Sequence, residues 1–301
     1  MLNDTISTLI RNLNDEQSLA IKELIHQVAD FDSNLLIYGE TGVGKDFWAN
    51  YLSAVSSYST ILNLNCGDVP PNLLESEWFG YKRGAFTGAD RDFEGKWSKA
   101  TGGILFLNQI DLLDLNLQAR LLRIIERKKF FPLGSVEEQD INVRFVFSAD
   151  DDIEQKVREG TFRADLFYRI STHKVRIPPL RERKKDIIPL LRYFAKSKQI
   201  DFTLGEDDLE LLRLYPWRGN IRELENFITS VAIKKKQLTH DDIQLLLKNS
   251  TDFLESIINR DITLEELEQK YITFLLQKYR NKVKVANILG ISRKSLYNKL
   301  K

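Results

Sequence analysis

A chain of 301 residues holds one cysteine, Cys66, and one methionine. A lone thiol excludes an internal disulfide framework and suits a reducing compartment, where Cys66 reads as a small buried residue. An excess of charge of either sign is missing too: Lys+Arg 44 against Asp+Glu 43 leaves a formal charge of +1. Any contact with nucleic acid must therefore come from local clustering rather than from a basic chain. No apolar run approaches a membrane span, and the opening Met-Leu-Asn-Asp lacks the basic and apolar regions of a signal peptide. The expectation is a cytoplasmic protein with no membrane partner. Internal repeats and low-complexity tracts are also absent, whereas a 43% hydrophobic fraction and this length suffice for two or three domains with real cores.

Residues 35–46, Leu-Leu-Ile-Tyr-Gly-Glu-Thr-Gly-Val-Gly-Lys-Asp, join a short apolar run to a helix-like segment through three glycines. Gly39, Gly42 and Gly44 let backbone N–H groups turn inward, and the next helix adds its partial positive N-terminus, which together make an anion cradle. Lys45 supplies a mobile cation. With Glu40, Thr41 and Val43 between the glycines, this is the G-x-x-x-x-G-K part of a P-loop in its strand-to-helix context, which favours it over an ordinary glycine-rich turn. Asp46 stands where the usual Ser or Thr metal ligand would be.

Apolar runs recur at 35–38, 61–64, 104–107, 143–147 and 174–177, separated by helix-like segments such as 115–126. That alternation predicts an α/β fold, a parallel sheet covered by helices on both faces. Ahead of it, Ala20, Ile21, Leu24, Ile25 and Val28 mark one stripe of an amphipathic helix, and His26 beside the stripe is structural. Pro178 and Pro179 end the strand pattern, and residues 184–243 read as helices broken at Gly205 and at 216–219. The expected organisation is a nucleotide-binding subdomain over 1–177, a helical lid over 178–246, a linker over 247–262 and a C-terminal domain over 263–301.

Residues 102–107, Gly-Gly-Ile-Leu-Phe-Leu, form a buried strand of the kind that ends, in P-loop ATPases, in two carboxylates at the phosphate edge. Here it ends in Asn108 and Gln109. The first position normally holds Mg²⁺ and the second polarises the attacking water, so both depend on negative charge or proton acceptance that a carboxamide lacks. The pair predicts a pocket that fills but turns over poorly. A natural loss and a substitution made to trap nucleotide both fit the sequence.

Between the two signatures lie Glu-Ser-Glu-Trp-Phe-Gly at 75–80 and Gly-Ala-Phe-Thr-Gly-Ala from Gly84 to Ala89. The second hexapeptide suits an exposed contact tip, and it resembles the GAFTGA loop of the AAA+ activators of sigma-54 RNA polymerase, the bacterial enhancer-binding proteins. The resemblance runs from about residue 21 to 243 and returns at the C-terminus. It implies an oligomeric ring that binds ATP with Mg²⁺ between subunits and presents Phe86 and Thr87 to the sigma-54 holoenzyme. It also implies that Asn65 links the nucleotide state to the loop. The segment 162–169, Phe-Arg-Ala-Asp-Leu-Phe-Tyr-Arg, is similar to the family's source of trans-acting arginines, which makes Arg163 and Arg169 the finger candidates. Residues 217–226, Trp-Arg-Gly-Asn-Ile-Arg-Glu-Leu-Glu-Asn, look like its sensor II segment, with Arg222 facing phosphate. Asp150 falls where the sensor I strand usually ends in Asn, whereas Asp46 is ordinary for activators that commonly carry Glu there.

In the tail, Thr-Leu-Glu-Glu at 263–266 has capping-box spacing and precedes a helical stripe of Leu264, Leu267, Tyr271, Phe274 and Leu275. Residues 270–301 carry nine basic side chains and no acidic one, an electrostatic footprint for DNA. A turn at Gly290 and Ile291, with Ser292 capping a second helix, gives a helix-turn-helix in which Ala286, Leu289, Ile291 and Leu296 pack the helices together. The unit is similar to the Fis-type domain of these activators, and Arg293, Ser295, Asn298 and Lys299 are its expected contacts to duplex DNA upstream of a promoter. The leading expectation is a sigma-54-dependent activator. Its rival is a regulator that does not hydrolyse ATP and works in mixed assemblies with an active paralogue. The stretch ahead of residue 15 is too short for a sensing domain, so regulation is expected from a separate partner or from expression level.

Overall fold

A computed structural model describes residues 9–10, 12–58, 60–68, 70–202, 204–234, 237–249, 263, 268, 271–272, 275, 279, 282–292, 295–296 and 299. In chain order its strands are β1 (Leu35–Tyr38), β2 (Ile61–Asn65), β3 (Gly80–Tyr81), β4 (Phe93–Glu94), β5 (Ile104–Asn108), β6 (Lys129–Phe130), β7 (Gln139–Asp140), β8 (Arg144–Ala149), β9 (His173–Arg176), β10 (Asp201–Phe202) and β11 (Gln237–Leu238). Five of them make one parallel sheet in the order β2-β5-β8-β1-β9. Every crossover in a parallel sheet needs a connection that runs back over a face, and the helices Lys45–Val55, Leu115–Arg127 and Ala164–Ile170 lie in those connections. Because the strands succeed one another in parallel, the ends of β1, β5 and β8 come to one edge. That edge carries residues 39–46, 108–109 and 150.

Sequence chemistry explains the elements. β5 and β8 are near-continuous apolar runs because both faces are covered, and all of β8 is buried. A core cluster below the edge includes Trp78, Phe79, Trp97, Phe130, Phe145 and Phe147, and burying each ring stabilises the fold by about 1.5–3 kcal/mol. The helix Leu115–Arg127 starts where Asp114 accepts from the N–H groups of Asn116 and Leu117, both at 2.9 Å, and stops at Lys128 in the left-handed region.

The helix Glu16–Val28 buries Ser18, Ile21, Ile25 and Val28, a stripe at helical spacing. Ala20 is exposed, because two residues from Ser18 it lies on the opposite side of the helix. Arg144 reaches out of buried β8 to the C-terminus of this helix, where its guanidinium donates to the carbonyls of Ala29 and, at 2.6 Å, Val28. A cation there satisfies terminal carbonyls and complements the helix dipole, while burial pushes the Arg144 pKa down. His26 is a structural partner of the Tyr51 hydroxyl, at 2.7 Å.

The chain divides into two compact units, residues 1–194 with 217–226, and residues 195–216 with 227–301. Within the second, β10 and β11 form a short parallel ribbon, and His240 meets Asp208 between the helices His240–Asn249 and Glu206–Leu214. Residues 247–249 of the expected linker instead continue the helix His240–Asn249, and 250–262 lie outside the described residues. In the tail, Ile272, Leu275, Val285, Ala286 and Leu296 are buried together, with Leu289 and Ile291 packed against them.

Candidate functional site

Residues 39–44 connect β1 to the helix Lys45–Val55, and the sequence explains both the turn and the open helix end. Gly42 has φ +81°, and a Cβ there would fall 2.4 Å from the carbonyl oxygen of Gly219, so only glycine lets the loop pass. The helix begins at Gly44, which has no side chain to cap it, so the first-turn N–H groups face the loop as an anion cradle. Lys45 is buried and reaches back: its Nζ donates to Gly39 O at 2.6 Å, Glu40 O at 3.3 Å and Asp150 Oδ1 at 2.8 Å.

The two carboxamides take defined places. Asn108 Nδ2 donates to Asp46 Oδ1 at 2.7 Å, and Asn108 Oδ1 accepts from the Ser148 hydroxyl. The Ser148 hydroxyl in turn accepts from Gln109 N at 3.0 Å. Asn108 therefore has both ends of its amide engaged by protein. Packing closes round the Asp46 carboxylate although the residue as a whole is exposed, and this raises its pKa against the pull of Lys45 and Arg222. Among the described residues no group of three or more His, Cys, Asp or Glu could hold a metal ion. Gln109 sits at φ 59°, with its side-chain oxygen 3.3 Å from where a Cβ of Gly67 would be.

Asn65 is near this group but turned into its own loop. Its Oδ1 accepts from Gly67 N at 3.0 Å and its Nδ2 donates to Asp68 at 2.7 Å. Residues 217–226 close the other side. Arg222 is exposed beside the loop, its Cβ 3.3 Å from a Cβ built on Gly42, and Ile221 N donates to Gly42 O at 2.9 Å.

Several residues that grip the loop were not singled out by the sequence. Asn220, buried and left-handed, accepts from Leu180 N at 2.8 Å and donates to Thr41 O at 3.0 Å and Glu40 at 3.1 Å. Arg181 pairs with Glu40 through both guanidinium nitrogens, and with Asn220 it holds the Glu40 carboxyl below the usual range despite burial. Buried Arg183 donates to Val43 O, and burial pushes its pKa down to about 10. Asp186, a little further along the chain, accepts from Asn14 N, Asp15 N and Ser18 Oγ and so fixes the start of the helix Glu16–Val28. Buried Gln118 donates to Leu113 O and accepts from Arg163 N, each within 2.8 Å, which ties the arginine segment to the strand-end helix. A polar residue on the apolar stripe was the available signal for Gln118.

Arg163 is the N-cap of the short helix Ala164–Ile170 and Arg169 lies in its last turn, and both stand apart from Lys45's contacts. Arg163 forms a two-pronged pair with Asp165 at 3.0 and 2.7 Å, and Arg169 is exposed. Residues 80–94 form a hairpin whose strands β3 and β4 pair antiparallel. At its tip Gly84 N donates to Ala89 O at 2.9 Å, and Lys82 pairs with Asp92. Phe86 is 44% exposed with its ring edge on Tyr81, and Thr87 is exposed.

In the tail Ser292 caps as its position predicts, accepting from Ser295 N at 3.1 Å. Lys299 pairs with Glu268. Arg293 and Asn298 lie outside the described residues.

The family of the sigma-54 interaction domain matches residues 12–176, the AAA+ ATPase lid domain residues 181–256, and the Fis family of bacterial regulatory proteins residues 263–301. The regulatory protein LuxO of Vibrio cholerae is 42% identical over 230 residues, covering 74% of this chain and 43% of LuxO. The transcriptional regulatory protein FlbD of Caulobacter vibrioides is 33% identical over 320 residues, covering 95% of this chain and 70% of FlbD. The crystal structure of NtrX from Brucella abortus in complex with ADP superposes with a TM-score of 0.72 at 26% identity, covering 94% of this chain and 67% of that one. The chain spans less than half the length of LuxO and of the Nif-specific regulatory protein of Azospirillum lipoferum. With the P-loop edge, the exposed hairpin and the capped tail in place, the chain belongs to the AAA+ transcription regulators that carry a sigma-54 interaction domain and a Fis-type helix-turn-helix.

Proposed function

We propose that this chain is a sigma-54-dependent transcriptional regulator: an ATP-binding module that assembles into a homo-oligomer, contacts sigma-54 through Phe86 and Thr87, and binds duplex DNA through residues 263–301. The observation that carries the reading is the hairpin tip, which exposes Phe86 and Thr87 from the same compact unit that holds the phosphate cradle. The residues of the cradle fit a nucleotide. An uncapped helix N-terminus, Lys45 and the nearby Arg222 offer donors and positive charge to phosphate oxygens. NtrX has been solved with ADP and with ATP, which supports nucleotide binding here.

In this reading Gly39 to Lys45 hold the phosphates, and Asp46 is the residue nearest to a metal role. Mg²⁺ would enter with the nucleotide, at a site weakened because the Asp46 carboxylate already accepts from Asn108. Gln109 lacks the basicity to take a proton from water, so hydrolysis is slow. Arg163 and Arg169 serve the neighbouring subunit's nucleotide, which requires Arg163 to leave Asp165. Asn65 couples the pocket to the hairpin by leaving its own turn for Gln109. Arg293, Ser295, Asn298 and Lys299 contact DNA, Lys299 by leaving Glu268.

Phe86→Ala and Thr87→Ala test the reading by capture of purified sigma-54. Each should lower its affinity about tenfold or more while leaving nucleotide binding unchanged, as expected for an exposed contact tip. If they instead lose nucleotide affinity as severely as Lys45→Ala, the hairpin belongs to the pocket and the reading fails.

A further inference from the structure

Asp150 follows the end of β8, one strand over from Asn108, and it restores a carboxylate to an edge that has exchanged two for amides. Its Oδ1 lies 2.8 Å from Lys45 Nζ and 3.5 Å from Thr41 Oγ1. One carboxylate oxygen thus meets both the cation and the hydroxyl of the P-loop. The remaining Nζ contacts go to the carbonyls of Gly39 and Glu40, so the three donors of the ammonium are all directed at protein atoms. Lys45 is 9% exposed and Asp150 38%, which places the pair at the mouth of the cradle, with its anionic half toward solvent. Asn108 cannot take Asp150's place, because its amide is already committed to Ser148 and Asp46.

A carboxylate oxygen at this distance has the charge sign and acceptor character of a phosphoryl oxygen. We propose that Asp150 is an internal counter-ion that occupies Lys45 when no nucleotide is bound, and that the phosphate of a nucleoside di- or triphosphate binds only by displacing it. The inference rests on the nucleotide-binding reading and adds to it a self-inhibited pocket. Binding then draws on the fraction of molecules in which the pair is open, so a pair formed about nine-tenths of the time lowers apparent affinity about tenfold. Removing the carboxylate frees Lys45 and also removes repulsion from the incoming phosphate. The displaced carboxylate is exposed enough to be rehydrated.

The test is a titration of the whole chain and of Asp150→Asn, Asp150→Ala and Lys45→Ala with a fluorescent methylanthraniloyl ADP. Thermal unfolding of the nucleotide-free single variants and of the Lys45→Ala/Asp150→Ala double variant runs beside it. Both Asp150 variants should bind about tenfold tighter than the unaltered chain, whereas Lys45→Ala should lose binding in either background. Without nucleotide, Asp150→Ala should lower the melting temperature when Lys45 is present and leave it unchanged when Lys45 is absent. Measurable binding by the unaltered chain with equal affinity in both Asp150 variants overturns the counter-ion and leaves the nucleotide site standing. No binding by any variant overturns the nucleotide reading and the inhibition built on it.

Discussion

The phosphate edge and the hairpin tip are built from similar residues to opposite ends. At the edge, loop 39–44 is held from several sides: Asn220 on Thr41, Arg183 on Val43, Ile221 on Gly42 and Arg181 on Glu40. At the tip, the links are local to the hairpin: Lys82 pairs with Asp92, Gly84 N donates to Ala89 O, Ala89 N donates to Phe86 O and the Phe86 ring rests on Tyr81, while Phe86 and Thr87 stay exposed. Both regions use glycines at positive φ. Gly42, at +81°, is enclosed by backbone, while Gly88, at +95°, would present a Cβ to open space, with nothing within 4 Å. The difference separates a surface shaped to place donors within tenths of an ångström from one shaped to be reached.

Substitution at these two glycines sharpens the contrast. Gly42→Val adds both left-handed strain and a collision with the Gly219 carbonyl at 2.4 Å, so it should cost about 3 kcal/mol or more and abolish nucleotide binding. Chemical denaturation and an ADP titration read the two effects. Gly88→Ala meets only the strain of its backbone angle and should cost about 1–2 kcal/mol, with nucleotide affinity unchanged. Equal losses at the two positions would erase the distinction between edge and tip.

A smaller effect is expected from the ion pair under the loop. Arg181, with help from Asn220, holds the Glu40 carboxyl below its ordinary range. The ionised form is the one the fold favours, so its stabilisation is complete above the ordinary glutamate range and is lost as pH falls through the depressed folded value. Glu40→Gln should therefore reduce stability near neutrality slightly and flatten its decline in acid. A melting-temperature profile from about pH 7 to about pH 3 measures both, and an unchanged acid slope would remove Glu40 from the set that holds the loop.

Much of the sheet was legible because a buried parallel strand leaves a continuous apolar run, as at 104–107, and because the P-loop is a local motif set by glycine spacing. The hairpin tip was legible for the same reason. Contacts that depend on distance between strands or between remote segments leave no such mark. Asn220 reads as one polar residue in a turn, yet its left-handed backbone aims both ends of its amide at residues 180, 40 and 41. Asp186 caps a segment about 170 residues earlier in the chain. Asn65, which the resemblance makes the link between nucleotide state and loop, bonds with its side chain to the local turn at Gly67 and Asp68, a contact that its place at a strand end does not announce. Ala20 joins the predicted stripe by hydropathy alone, although helical phase puts it opposite Ser18.

If the phosphate edge binds ATP through its cradle and lacks the groups for turnover, restoring those groups should restore the chemistry. Steady-state hydrolysis at saturating ATP and Mg²⁺, compared between the chain as it stands and Asn108→Asp/Gln109→Glu, reads this directly. Metal-binding and general-base groups are each worth about 10² or more, so the double variant should hydrolyse faster by at least that order, while either change alone does little because the two act as a unit. Robust, Arg163-dependent hydrolysis by the unaltered chain, with no gain in the double variant, would contradict it.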